Sequence, residues 1–265
     1  MTAENTKSAG ECFEVFLTVL RERRLLLEDA IRKSGQEKEP PPYAMTLALL
    51  FGERTLAAVQ LLVPTPDLML MTNTLVRPFY ELSMRMLWAA REPNGWQRFQ
   101  AHVAEGDAKW AREAVRMPEL RDYAERIRQS REEVLSRCDE DGKPFKPMPN
   151  LSQMLSDIET KNLEVGDVSK PGGAEFQYTN VYRVLCRPAH GHLGSFEATP
   201  PKVAFIVSAF AAGLATHVLI RALAAIMPGF PEVDADAAGT AVLQVMRAAK
   251  DVPIEETESK EGSET

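Results

Sequence analysis

The chain has 265 residues, 45% hydrophobic and 26% charged, the composition of an ordinary globular protein long enough to bury a sizeable core. Its net charge of −7 is uneven, because residues 251–265 hold six acidic side chains and one lysine and leave the first 250 residues near −2. That balance argues against a dedicated, strongly basic nucleic-acid binder and gives no DNA footprint, while three cysteines at wide, patternless spacing (Cys12, Cys138, Cys186) argue against a disulfide framework and a cysteine zinc site.

The opening stretch, "MTAENTKSAGECFEVF", has no basic run followed by an apolar core and so does not read as a secretory signal. With the unpaired cysteines, this places the expected location in the cytoplasm. Apolar residues at helical spacing predict a first helix over 8–33, ended by "SGQEKEPPP", where consecutive prolines break the helical hydrogen-bond ladder. A second helix is expected over 44–63. "PTPD" follows, with Asp67 as N-cap of a third helix over 67–91.

Two amphipathic helices, 94–116 and 118–138, come next and are separated by Met117-Pro118. Nine basic and eight acidic residues between Arg98 and Arg137 read as a solvated face. After the loop "DEDGKPFKPMPN", helices are expected at 151–161, 175–189, 200–227 and 232–250, with Thr199 before Pro200 and Pro201 as a helix start. No period-two run supports a strand. The expected fold is an all-α bundle of about eight to nine helices without a sheet, a single domain over 1–250 and a disordered acidic tail over 251–265.

The run "VAFIVSAFAAGLATHVLI" (203–220) has no formal charge and approaches the length of a membrane span. It is rich in alanine, His217 and Arg221 lie one turn apart on one face, and no second segment pairs with it. It therefore reads as a core helix, and no membrane association is expected.

Phosphate-loop, dinucleotide and nucleophile-elbow motifs are absent, as is any Glu-x-x-His pair, so no cofactor is expected. The polar residues that stand out lie in "NTLVRPFYELSMRMLW" (73–88). Asn73, Arg77, Glu81 and Arg85 recur every four residues and form one slowly turning stripe, yet Leu70, Met84 and Trp88 share its sector. A charged stripe interleaved with such residues is expected to be buried, with Glu81 satisfied by Arg77 and Arg85. Pro78 also leaves the carbonyl of Thr74 without its helical donor.

The second segment is "YRVLCRPAHGHLGSFE" (182–197), which holds half of the four histidines. Arg183 pairs with His190, and Arg187 with His192, around a helix end interrupted by Pro188 and released by Gly191 and Gly194. Three readings stand side by side: a helix C-terminus whose cationic side chains meet the last carbonyls, an anion or phosphodiester site, and a metal site through His190 and His192 with Glu81 or Glu197. Tyr182, Arg183 and His190 are the expected partners of the charged stripe, with His217 and Arg221 as outer candidates.

Arg77-x-x-x-Glu81 on an apolar helix, followed by Tyr182 and the His190-Gly191 turn, resembles an uncharacterised bacterial domain-of-unknown-function family of all-helical proteins over roughly residues 45–225. The pattern also resembles the broader HEPN superfamily, whose hallmark is Arg, four to six residues, then His. Arg183…His190 and Arg187…His192 both fit that spacing, although Val184 or Pro188 stands where a polar residue usually follows the arginine. The resemblance implies an RNA or nucleotide-phosphate ligand and a metal-independent ribonuclease with Arg183 and His190 as its catalytic pair. Arg77, Glu81, Arg85, Tyr182, Arg187 and His192 would form the surrounding polar cluster. A non-enzymatic regulatory or scaffolding bundle with a purely structural cluster is the alternative. A homodimer is the expected assembly in either case.

Overall fold

Apolar positions three and four residues apart set the chain into helices from its N-terminal part onward. The computed structural model describes residues 3–35, 40–63, 65, 68–160, 177–189, 201–227 and 230. Helix α1 (Ala3–Ser34) buries Phe13, Phe16, Leu20 and Leu27 along one face. Helix α2 (Pro40–Leu62) starts on the prolines themselves rather than at 44. In the first helical turn the missing proline N–H groups have no carbonyl to serve, so the break between α1 and α2 and the start of α2 use the same residues.

Helix α3 (Met69–Arg91) has Leu68 at its cap position, with no side-chain cap hydrogen bond. The expected cap, Asp67, lies outside the described residues. Pro78 sits exposed within a helix that continues through it. Asn94, in the left-handed region at φ 55°, turns the chain into α4 (Gly95–Ala114). A 3-10 turn at Pro118–Leu120 then leads to α5 (Arg121–Leu135). Ala111, Ala114 and Ala124 form the seam between α4 and α5, and Asp107 accepts from Arg131 at 2.8 Å across it.

Helix α6 (Leu151–Thr160) is followed by a π-helical turn, Gln177–Tyr182, that runs into α7 (Arg183–Ala189). Helix α8 (Pro201–Ile226) completes the described fold. Among the described residues there are eight α-helices and no strand, so the fold is all-α. The helix expected at 232–250, the acidic tail and the Thr199 cap lie outside those residues.

The 203–220 run is the centre of the bundle. In α8, 78% of the most apolar stretch lies inside the protein, against 44% in α2, the other helix among the described residues long and apolar enough to cross a membrane. Small side chains (Ala204, Ala211, Ala212, Ala215) let α8 lie close along α3, and Phe205 packs edge-on to Phe13 of α1 at 5.9 Å. The polar residues trapped in this seam bond in series. Ser208 donates to Asn73 Oδ1 at 2.5 Å, so the 2.7 Å bond between Thr72 and Ser208 has Thr72 as donor. Asn73, the fully buried first member of the polar stripe, is thereby bonded at Oδ1, while its Nδ2 has no partner among the described residues.

Helices α1 and α2 are tied by Arg24, whose Nε donates to the buried Glu53 at 2.5 Å and whose Nη1 reaches Glu28 at 2.7 Å. One turn of α2 sits against α3 through Gly52. A Cβ placed there would lie 2.6 Å from the Phe79 ring and 2.9 Å from Leu20. Gly52→Val should therefore lower stability by about 1–3 kcal/mol through overpacking. Urea denaturation checks this, and a midpoint equal to wild type would mean that α2 and α3 are not in such close contact.

Candidate functional site

Past Asn73 the polar stripe of α3 leaves the α8 seam and comes half into solvent. Arg77 Nε donates to Glu81 Oε1 at 2.8 Å, and Arg85 Nη2 lies 3.6 Å from Glu81 Oε2. Each partner stands one helical turn away, which is why the four-residue spacing produces a continuous ladder. The side chains keep 21%, 20% and 31% of their exposure in chain order, so the cluster is half-buried rather than buried as the sequence suggested. Leu70, Met84 and Trp88, which share its sector on a helical wheel, are buried by neighbouring elements while the longer charged side chains reach past them to solvent.

The π-helical turn brings two tyrosines against the stripe. Tyr182 lies with its hydroxyl 3.4 Å from Arg77 Nη2 and its ring 5.5 Å beneath the Arg77 guanidinium. Tyr178 stacks on Tyr182, with centroids 5.5 Å apart and planes at 28°, and Arg183 lies 5.5 Å from the Tyr178 ring. The result is a stack of Arg183, Tyr178, Tyr182 and Arg77, cation on the outside and aromatic rings within. An α-helical turn places residues four apart on one face, and the wider π-turn helps these two rings align as a layer. Burial first, then the Glu81 charge, pushes the Tyr182 phenol up to about 12, so it stays a neutral donor. Cys186, one turn on, shares a hydrogen bond with Tyr182, and burial raises its thiol above the ordinary value.

Helix α4 supplies the far end of the cluster. Arg85 Nη1 lies 3.0 Å from His102 Nε2. A guanidinium only donates, so His102 accepts at Nε2 and carries its proton on Nδ1. Burial, then the Arg85 charge, holds His102 below its ordinary value of 6.5, which agrees with the neutral ring the bond requires. Arg85 Nε is buried with no partner among the described residues.

Of the residues singled out in the sequence, the structure thus gathers Arg77, Glu81, Arg85, Tyr182 and, through Tyr178, the exposed Arg183. Arg187 belongs to α7 but its side chain lies outside the described residues, as do His190 and His192. His217 and Arg221 sit near the end of α8, where burial, then the Arg221 charge, lowers the His217 imidazole. Among the described residues no group of three or more His, Cys, Asp or Glu side chains comes together as a metal site would need.

No family model matches the chain, and no curated protein or solved structure matches it.

Three participants escaped the sequence reading. His102 lay in a helix read as a solvated face, and its only signal was its place beside the buried alanines at 101, 104 and 108, whose 3-4 spacing marks an inward face. Tyr178 had no signal beyond standing four residues before Tyr182, and Cys186 entered only as one of three widely spaced cysteines.

The two lowered imidazoles set a pH dependence. The unfolded chain takes up protons near the ordinary value of 6.5, and the folded chain resists until a lower pH. Their contribution is therefore complete above about 6.5 and is lost as pH falls through the folded values. Thermal melts between pH 8 and 5 should show stability dropping over that window, and a His102→Gln, His217→Gln double variant should flatten the drop. An unchanged slope in the double variant would mean that neither ring is held neutral.

Proposed function

We propose that the protein binds the phosphate and base of an RNA or nucleotide on the α3–α7 surface, as an HEPN-like bundle would. The observation that carries this reading is the charge imbalance beside a stacking platform. Arg77 and Arg85 share one carboxylate, Glu81, Arg183 adds a guanidinium on the outer face of Tyr178, and His102, which also feels Glu105, is held neutral. The Arg77–Glu81–Arg85 ladder carries one excess positive charge, next to the stacked Tyr178 and Tyr182. Guanidiniums that share one carboxylate retain donors for phosphate oxygens, and tyrosine faces accept a nucleobase without regard to its sequence. Cleavage belongs to the same proposal, with Arg183 facing the phosphate charge and His190 transferring the proton without a metal.

The rival reading, a regulatory or scaffolding bundle with a structural cluster, is favoured by one feature. Both oxygens of Glu81 face arginines of its own helix, and Arg85 already reaches His102. The two readings part on a single carboxylate. If phosphate competes with Glu81 for the arginines, Glu81→Gln should tighten binding of a fluorescent oligoribonucleotide several-fold in polarisation titrations. Arg77→Ala should weaken it by roughly tenfold or more, since a charge-assisted hydrogen bond contributes about 1.5–3 kcal/mol. Absence of binding by wild type, with Glu81→Gln only lowering the melting temperature, would leave the structural brace.

The catalytic part has its own test. Wild-type cleavage of RNA in EDTA should fall by about 10²–10⁴-fold in His190→Ala while the circular-dichroism melt stays close to wild type. Cleavage that survives the substitution, or that EDTA abolishes, would remove His190 or the metal-free mechanism.

A further inference from the structure

The solvent side of α2 is built of the wrong residues for water. Its inward face is ordinary, with Met45, Leu49, Leu56 and Val59 buried in the core. On the opposite face Tyr43 is 55% exposed, Leu47 47%, Phe51 40% and Leu61 79%. Only two charged residues occur in the 23-residue helix, Glu53 and Arg54, and Glu53 is buried against Arg24. A surface helix normally opposes its apolar stripe with a polar one, and α2 has two apolar stripes.

The outer stripe also has a period. Ala44 (half-buried, at the edge of the core), Leu47, Phe51, Arg54, the half-buried Ala58 and Leu61 follow one another at steps of three, four, three, four and three. This is the seam of a coiled coil, 3.5 residues per turn, and it calls for a helix rather than a flat or irregular partner. Tyr43, Leu50 and Ala57 each stand one residue before a member of the seam and broaden it.

We propose that this face is the interface of a homodimer in which α2 packs antiparallel on α2 of a second copy. Reversing the direction of the seam places its two leucines on its two alanines and its one arginine on its one phenylalanine. With residues 51 and 54 opposite each other across the two-fold axis, Leu47 meets Ala58 of the second copy, and Ala44 meets its Leu61. Phe51 meets Arg54, a guanidinium on an aromatic face, twice by symmetry. A parallel pairing would instead set Leu47 on Leu47, Leu61 on Leu61 and Arg54 on Arg54, stacking bulk on bulk and charge on charge. Lying on a lipid surface is the less favoured use of the same face, because Arg54 stands at its middle rather than its edge.

The interface is separate from the α3–α7 surface, so its test stands apart from that of nucleotide binding. Light scattering after size exclusion should give about twice the 29.5 kDa chain mass for the wild type. Leu47→Glu should return the single-chain mass with an unchanged circular-dichroism melt, because Leu47 is exposed within one copy. Register and direction are read by cross-linking in a Cys12→Ser, Cys138→Ser background. Leu47→Cys with Ala58→Cys should oxidise to a covalent dimer. Leu47→Cys alone should not, since the two copies of residue 47 would lie about 16 Å apart along the helix axes, beyond disulfide reach. Positions 47 and 58 are equally far apart within one helix, so the double variant cannot close on itself.

Four results would overturn the proposal. They are a single-chain mass for wild type at tens of micromolar, a dimer that persists in Leu47→Glu, self-cross-linking of Leu47→Cys alone, or a monomer that sediments with phosphatidylcholine vesicles. If Leu47→Glu fails to fold, Leu61→Glu and the cysteine pair decide the matter on their own.

Discussion

The burial of α3 along α8 governs most of what this protein can be. An alanine-rich helix and a helix apolar on several faces come together with little side-chain volume between them, and the polar atoms on that seam lose water. Thr72, Ser208 and Asn73 answer this by bonding in series across the two helices. Such a chain has one register. Sliding α8 by a residue would separate Ser208 from Asn73 and strand donors and acceptors in the core, so the hydrogen bonds fix the register of α3 against α8. Everything placed on the remaining length of α3 inherits that register.

What projects is a row of charges sorted by depth. Asn73 is fully buried, and Arg77, Glu81 and Arg85 follow at one-turn intervals with part of each side chain in solvent. In this half-wet setting the carboxylate satisfies its two neighbours without the full desolvation cost of a buried ion pair, and it stays close enough to solvent for another anion to compete. The π-turn and α4 then close the row from either side, one with stacked tyrosines and the other with a neutral histidine. A surface of this kind combines excess guanidinium, flat aromatic area and fixed protonation states. The proposed recognition of phosphate and base rests on those elements, which follow from three helices meeting at one register.

The three most apolar helices solve their burial differently. Helix α8 is enclosed, and α3 is enclosed except along its charges. Helix α2 is enclosed on one side only, held to α1 by the Arg24–Glu53 pair and to α3 by the missing side chain of Gly52. That leaves a heptad-spaced apolar face without a partner among the described residues. The contrast between α2 and α8 has a simple origin, since both sequences are apolar but only α8 has neighbours on all sides.

The sequence by itself determined the helical elements, because 3.6-residue periodicity, prolines and glycine-rich breaks act locally and do not depend on what packs where. It also determined the Arg77–Glu81–Arg85 ladder, since residues four apart on any helix are neighbours. Helix ends were less legible: Pro40–Pro42 could terminate one helix or open the next, and both uses obey the same backbone chemistry. Only the tertiary structure decided how deeply the ladder is buried, because α8 takes Asn73 and leaves Glu81 at the edge. It alone brought His102 to Arg85, by folding α4 back on α3, and set the stacked Tyr178 and Tyr182 against Arg77, which stands 105 residues before Tyr182. It alone distinguished the enclosed α8 from the half-exposed α2. Composition records how apolar a helix is, whereas burial depends on the number and direction of its neighbours.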